Sequence, residues 1–163
     1  MALVITWNEY NSALETKSAD ITDIAFGSAD EADLTPANNK ITAGDNSFEK
    51  FLKAEFTGMA SEGITEIANT KVYKSAGNYK TAEALKCLGI AVSYSTPSES
   101  DSGDSDIPVS EPGSQNLGLN GSGTGVLGAD GESDYMRMQR QTGATTPPGA
   151  LNTLTITLLY DVS

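Results

Sequence analysis

Toward the end of the chain, apolar and polar positions alternate with a period of two. Across 153–160, Leu154, Ile156, Leu158 and Tyr160 fall on one side and Thr153, Thr155 and Thr157 on the other. Successive strand side chains point to opposite faces, so this spacing predicts a half-buried β-strand. Residues 87–94 alternate too, with Leu88, Ile90, Val92 and Tyr94 set against Cys87, Gly89, Ala91 and Ser93. The second set is small throughout, which predicts a strand that another layer or chain can approach closely. Just before it, 81–86 also suits one or two helical turns. Residues 134–141 put Met136 and Met138 on one face, with Tyr135, Arg137, Gln139 and Gln141 opposite. Leu3, Ile5 and Trp7 alternate near the start, and 71–74 is a short strand candidate. Over 48–56 two patterns compete. Phe48, Leu52, Ala54 and Phe56 make a strand face, while Phe48, Phe51 and Leu52 make a helical stripe. Flanking Gly44 and Gly58 and the short length favour the strand.

Turn-forming residues separate these segments: Gly27-Ser28, Thr35-Pro36-Ala37-Asn38-Asn39, Gly77-Asn78 and Thr146-Pro147-Pro148-Gly149. Short strands between such turns predict an all-β fold, a single β-sandwich of jelly-roll or Ig-like type spanning 1–163. A length of 163 residues suits one domain. The exception to the pattern is a long acidic and Gly-rich loop region at about 95–131, Ser/Asp/Pro-rich up to 115 and Gly-rich over 118–131. Large apolar groups are sparse there, so the region is expected to bury little and to tolerate the loss of 98–104. The final strand, 152–160, is expected to be indispensable. No internal repeat is visible, so the sequence gives no support for a solenoid or fibre shaft.

Charge narrows the partners. Acids outnumber bases 22 to 10, for a net charge of −12 and a pI near 4.2. From Cys87 through Met136 there is no Lys or Arg, while Glu99, Asp101, Asp104, Asp106, Glu111, Asp130, Glu132 and Asp134 fall inside. Nucleic-acid binders neutralise phosphates with basic patches, so neither nucleic acid nor an anionic membrane is an expected partner. The start, Met1-Ala2-Leu3-Val4-Ile5-Thr6-Trp7, lacks the basic and apolar runs of a signal peptide, and no stretch approaches a membrane span. Synthesis in the cytoplasm without export is the expectation, and one cysteine fits a reducing compartment.

Candidate chemistry is thin. With no histidine, a Ser-His-Asp triad, a Cys-His pair and a His-based metal site are excluded. Cys87 lies in an apolar pattern and is expected to be an inert, buried thiol. Gly123-Thr124-Gly125-Val126-Leu127-Gly128 matches the spacing of a dinucleotide fingerprint, but the following residues are poor helix formers and position 148 is proline, so a tight β-loop is expected. Asp101, Asp104 and Asp106 form an acidic cluster. An EF-hand loop starting at Asp101 or Asp104 would need glutamate at its twelfth place, where Pro112 or Gln115 stands, so a solvated loop is expected. Two acids at glycosidase spacing would need a tertiary meeting that sequence cannot specify. Asn120-Gly121-Ser122 is a glycosylation sequon without meaning in a protein that is not secreted. The expectation is no enzyme, no catalytic residues, no cofactor and no metal site.

Three segments carry a resemblance: Ile41-Thr42-Ala43-Gly44-Asp45-Asn46-Ser47-Phe48-Glu49-Lys50, then Val72-Tyr73-Lys74-Ser75-Ala76-Gly77-Asn78-Tyr79, then 146–157 beginning Thr146-Pro147-Pro148-Gly149. From about residue 20 onward the chain resembles small virion structural proteins of tailed bacteriophages. The resemblance implies an all-β component of the particle, located in the virion and bound to the phage major capsid protein or other virion proteins. A symmetric homo-oligomer or many copies per particle would follow. Acidity disfavours contact with packaged DNA and favours the outer face of the head, as a capsid decoration or cement protein. A neck, collar or tail-associated protein is the alternative within that class. A carbohydrate-binding module is the alternative outside it, though Trp7 is the sole tryptophan.

Overall fold

The computed structural model describes residues 2–121 and 123–163, so Met1 of the N-terminal reading and Ser122 of the sequon lie outside the described residues. The chain is all-β, with two antiparallel sheets packed on one core and no α-helix among the described residues. The strands are β1 (Val4–Asn11), β2 (Thr16–Ile21), β3 (Lys50–Thr57), β4 (Ile67–Ala76), β5 (Glu83–Leu88), β6 (Gly131–Glu132), β7 (Met136–Thr142) and β8 (Thr155–Val162). The larger sheet runs β2-β1-β3-β7-β5, with the short β6 beside the far end of β3. The smaller sheet is β4 paired with β8.

Register explains the core. Trp7 pairs with Ala54, Ile5 with Phe56, Leu52 with Met136, and Cys87 with Met138. Residues directly opposite share a face, so Ile5, Trp7, Leu52, Ala54, Phe56, Met136 and Met138 all point toward the smaller sheet. There they meet Ile67 and Val72 of β4 and the half-buried Ile156, Leu158 and Tyr160 of β8. The Phe56 and Tyr160 rings meet edge to face with centroids 5.8 Å apart. The alternations at 134–141 and 153–160 thus point the way their spacing predicts, and 48–56 resolves as the strand β3.

Three expectations need correcting. Residues 81–86 are not helical, and the predicted 87–94 strand ends early: β5 spans Glu83–Leu88. Pairing with β7 holds it, from Glu83 opposite Thr142 to Leu88 opposite Arg137. At Gly89 the chain turns away, because a crossing segment bonds there (Gly118 N to Gly89 O, 2.7 Å) and a Cβ on Gly89 would strike the Asn116 carbonyl. Ala91 then takes a left-handed φ of 58°, outside the extended range of a regular strand.

The third correction concerns 95–131. That region carries little regular structure, yet it buries Ile107, Leu117, Leu119 and Leu127 in the core. Its first part drapes over the outer face of the larger sheet. Gln139, fully buried, donates to the carbonyls of Ser47 (3.0 Å), Ser98 (3.4 Å) and Ser100 (2.7 Å). The Ser98 amide bonds Glu49 (3.2 Å), and Tyr94 packs on Phe51 with centroids 5.0 Å apart. Its second part lies along β4. Composition suggested solvent, but the few apolar residues present are spaced to plug the gap beside a two-stranded sheet.

Candidate binding surface

Open sheets leave rows of unpaired peptide groups at their edges, and folded proteins normally cover, bend or charge them. Three of the four edges here are managed so. β2 carries Lys17 and Asp20, its pairing slips beside Trp7 and Glu9, and Asp20 has a φ of 55°. β5 is covered by 105–107: Cys87 N donates to Ser105 O (3.0 Å), Ile107 N to Leu85 O (2.9 Å), and Lys86 pairs with Asp106 at 2.7 Å. β4 is covered by Pro108, Asn116 and Leu127.

The fourth edge is different. On β4, the Val72 amide and carbonyl face away from β8, toward the Asn116 side chain at 2.7 and 2.8 Å. Lys74 N likewise donates away from β8, to Pro108 O at 2.8 Å. Val72 stands opposite Leu158 and Lys74 opposite Ile156. In an antiparallel ladder such non-bonded pairs direct both residues' peptide groups outward. Leu158 and Ile156 therefore aim theirs away from β4, and alternation adds Tyr160 and Val162. Among the described residues none of these four peptide groups bonds to anything outside the β4–β8 ladder. Neither charge nor proline interrupts 151–160; Asp161 is the first charged residue.

Elsewhere, polar groups meet but are spent on each other. The cluster Asp101, Asp104 and Asp106 does not converge. Asp104 takes a two-pronged bond from Arg137 (2.9 and 2.7 Å), Asp106 pairs with Lys86, and Asp101 accepts from Gly103 N (2.9 Å) and Gln141 (2.7 Å). These acids stitch the loop to the sheet, and the Asp104 side chain is only 4% exposed, so the expected solvated loop is corrected at that residue. No group of three or more potential metal ligands gathers among the described residues. Residues 123–128 lead through a bridge at Leu127 into β6 rather than a helix. Burial, with Asp104 nearby, pushes the Cys87 thiol up to about 12, the direction expected of an inert cysteine.

One carboxylate pair does form, across β3 and β6. Glu55 and Glu132 stand opposite each other and share the Asn8 amide (2.8 and 3.2 Å) and the Lys17 ammonium (3.2 and 2.7 Å). Burial works to raise the Glu132 carboxyl, but hydrogen bonds from Lys17 and Tyr10 outweigh it and hold the group below its ordinary value. A glycosidase acid needs the opposite displacement, so this arrangement is a clamp. Beside it, Tyr10, Phe51, Tyr94 and Tyr135 close on one another at 5.0–6.1 Å. They do not form the flat row of exposed rings that a sugar stacks on, and Trp7 packs against the core. A cleft of about 440 Å³ opens next to Tyr135. Its lining groups are engaged internally: Lys53 sits 4.3 Å from the Tyr135 ring, and the Tyr135 hydroxyl donates to Glu15.

The β8 edge is therefore the surface whose bonding capacity is unspent. Its uncharged run is visible in the sequence, but its edge position depends on pairing with a strand 79 to 95 residues away. No family model, curated protein or solved structure matches the chain.

Proposed function

We propose that the chain is a non-enzymatic structural component of a tailed-phage particle, a capsid decoration or cement protein folded as a single β-sandwich that binds the outer face of the head. The observation that carries the binding half is the β8 edge, a run of outward peptide groups with no partner outside its own sheet and no charge before Asp161. A long uncharged edge of this kind is a template for pairing with another chain. Support for the non-enzymatic half comes from the side-chain chemistry: no histidine, an inert thiol, and carboxylates paired with Lys17 and Arg137. The virion assignment rests on the resemblance of segments 41–50, 72–79 and 146–157, and the outer position on the net charge of −12.

Quantifying the chain in purified particles tests this. Hundreds of copies per particle are expected, together with a lower melting temperature for shells that lack it, since a subunit that binds only the assembled state stabilises that state by mass action. A dozen copies or fewer would move it to the neck or tail, and absence from particles would end the reading.

A further inference from the structure

We propose that the occupant of the β8 edge is the β8 edge of a second copy, paired antiparallel about a two-fold axis through Leu158. The inference deepens the reading of the chain as a binding component.

The register follows from which residues can bond. Ile156, Leu158 and Tyr160 present their peptide groups outward, whereas Thr157 and Leu159, opposite Tyr73 and Lys71, spend theirs on β4. A two-fold through Leu158 sets Leu158 against its own copy and Ile156 against Tyr160, so each outward amide meets an outward carbonyl. The same register sets Thr157 against Leu159, Thr155 against Asp161, and Leu154 against Val162. No like charges face each other, although each chain carries a net −12. Parallel in-register pairing would instead stack Asp161 on Asp161, which costs stability. Packing points the same way. The smaller sheet is two strands wide over a larger sheet five strands across, and it leaves Ile156, Leu158 and Tyr160 half-buried and Val162 52% exposed. A second β8 and β4 would make four continuous strands and extend the cover over those side chains.

The register makes the test specific, because Thr155 is exposed and its side chain has no structural duty. Thr155→Asp would place an aspartate opposite Asp161 twice in the dimer, and Thr155→Lys would place a cation there. Sedimentation velocity on the whole chain should show a concentration-dependent dimer. Thr155→Asp should weaken it about 2- to 30-fold, and Thr155→Lys should tighten it. Combining Thr155→Asp with Asp161→Lys should restore it. Hydrogen exchange read by residue should show the amides of Ile156, Leu158 and Tyr160 gaining protection as concentration rises, while Thr157 and Leu159 stay protected throughout. A chain that remains monomeric up to about 1 mM, a concentration at which even weak specific pairing registers, overturns the proposal. So do two Thr155 variants that shift the dimer in the same direction. Either failure leaves the particle reading standing, since copy number in virions decides that separately.

Discussion

Lys50 is the residue that most departs from its surroundings. It sits in line with Leu52, Ala54 and Phe56 on the inward face of β3, and it is fully buried. Its ammonium donates to Glu9 Oε1 at 2.7 Å and to the Glu31 carbonyl at 2.6 Å, while Asn11 donates to the same carboxylate oxygen at 2.9 Å. Glu9 Oε2 and Asn11 Oδ1 are left without partners. A buried pair of this kind adds little net stability, but removing one member strands a charge. Lys50→Met should therefore lower unfolding free energy by about 3–5 kcal/mol, measured by urea titration. The double variant Glu9→Met with Lys50→Met should recover more than half of that. A single variant that unfolds with wild-type stability would mean that Glu9 is already neutralised in some other way. Nothing in the local pattern announces this pair, because a lysine between phenylalanines reads as a surface position until Glu9 is brought alongside Leu52 by the β1–β3 register.

Among the elements, the final strand and the acidic loop exchange some of their expected weights. β8 contributes half-buried Ile156, Leu158 and Tyr160, and among the described residues it is the sole strand paired with β4. A chain ending at Asn152 should fail to give soluble folded protein. Excising 98–104, expected from composition to be harmless, would strip Gln139 of two acceptors, Glu49 of a donor and Arg137 of Asp104. Hydrogen bonds to charged groups contribute about 1.5–3 kcal/mol each, partly replaced by water once the loop is gone, so the deletion should fold but with a distinctly lower urea midpoint. An unchanged midpoint would return the loop to the role its composition suggests. Periodicity made β3, β7 and β8 legible because each has one clean apolar face. It placed β5 too late because Leu88, Ile90, Val92 and Tyr94 continue the alternation after the backbone has turned at Gly89 and Ala91. The burial of Leu117, Leu119 and Leu127 was hidden by the glycines and acids around them. The β8 edge needed the strand order, which no local pattern carries.

For the molecule as a whole, acid is the revealing perturbation. Hydrogen bonds from Lys17 and Tyr10, working against burial, hold Glu132 below its ordinary value. The Gly103 amide and Gln141 do the same for Asp101, and the amides of Gly58 and Met59 for Asp130. Each depressed carboxyl adds stability above its unfolded pKa that is lost as pH falls through the lower folded value. Burial raises Glu49 instead, so its protonation relieves a cost at higher pH, before the other three lose their contributions. With three groups against one, the urea midpoint should fall as pH drops below about 4. Glu132→Gln should be less stable than wild type at pH 7, and the gap should close on acidification. A gap that stays constant would show that Glu132 acts by shape alone.

The pairing of β4 with β8 also governs when this protein can finish folding. Val72 waits for Leu158, 86 positions later. At ribosomal speeds of about 5–20 residues per second, β4 emerges several seconds before its partner exists. Closing so long a loop is entropically slow, so the larger sheet's β1–β3 pair, with partners some 50 residues apart, can assemble first. The strand that completes the smaller sheet is then also the later of its pair to leave the ribosome, and in the proposed dimer it serves twice, closing its own chain's sheet along one edge and a neighbour's along the other.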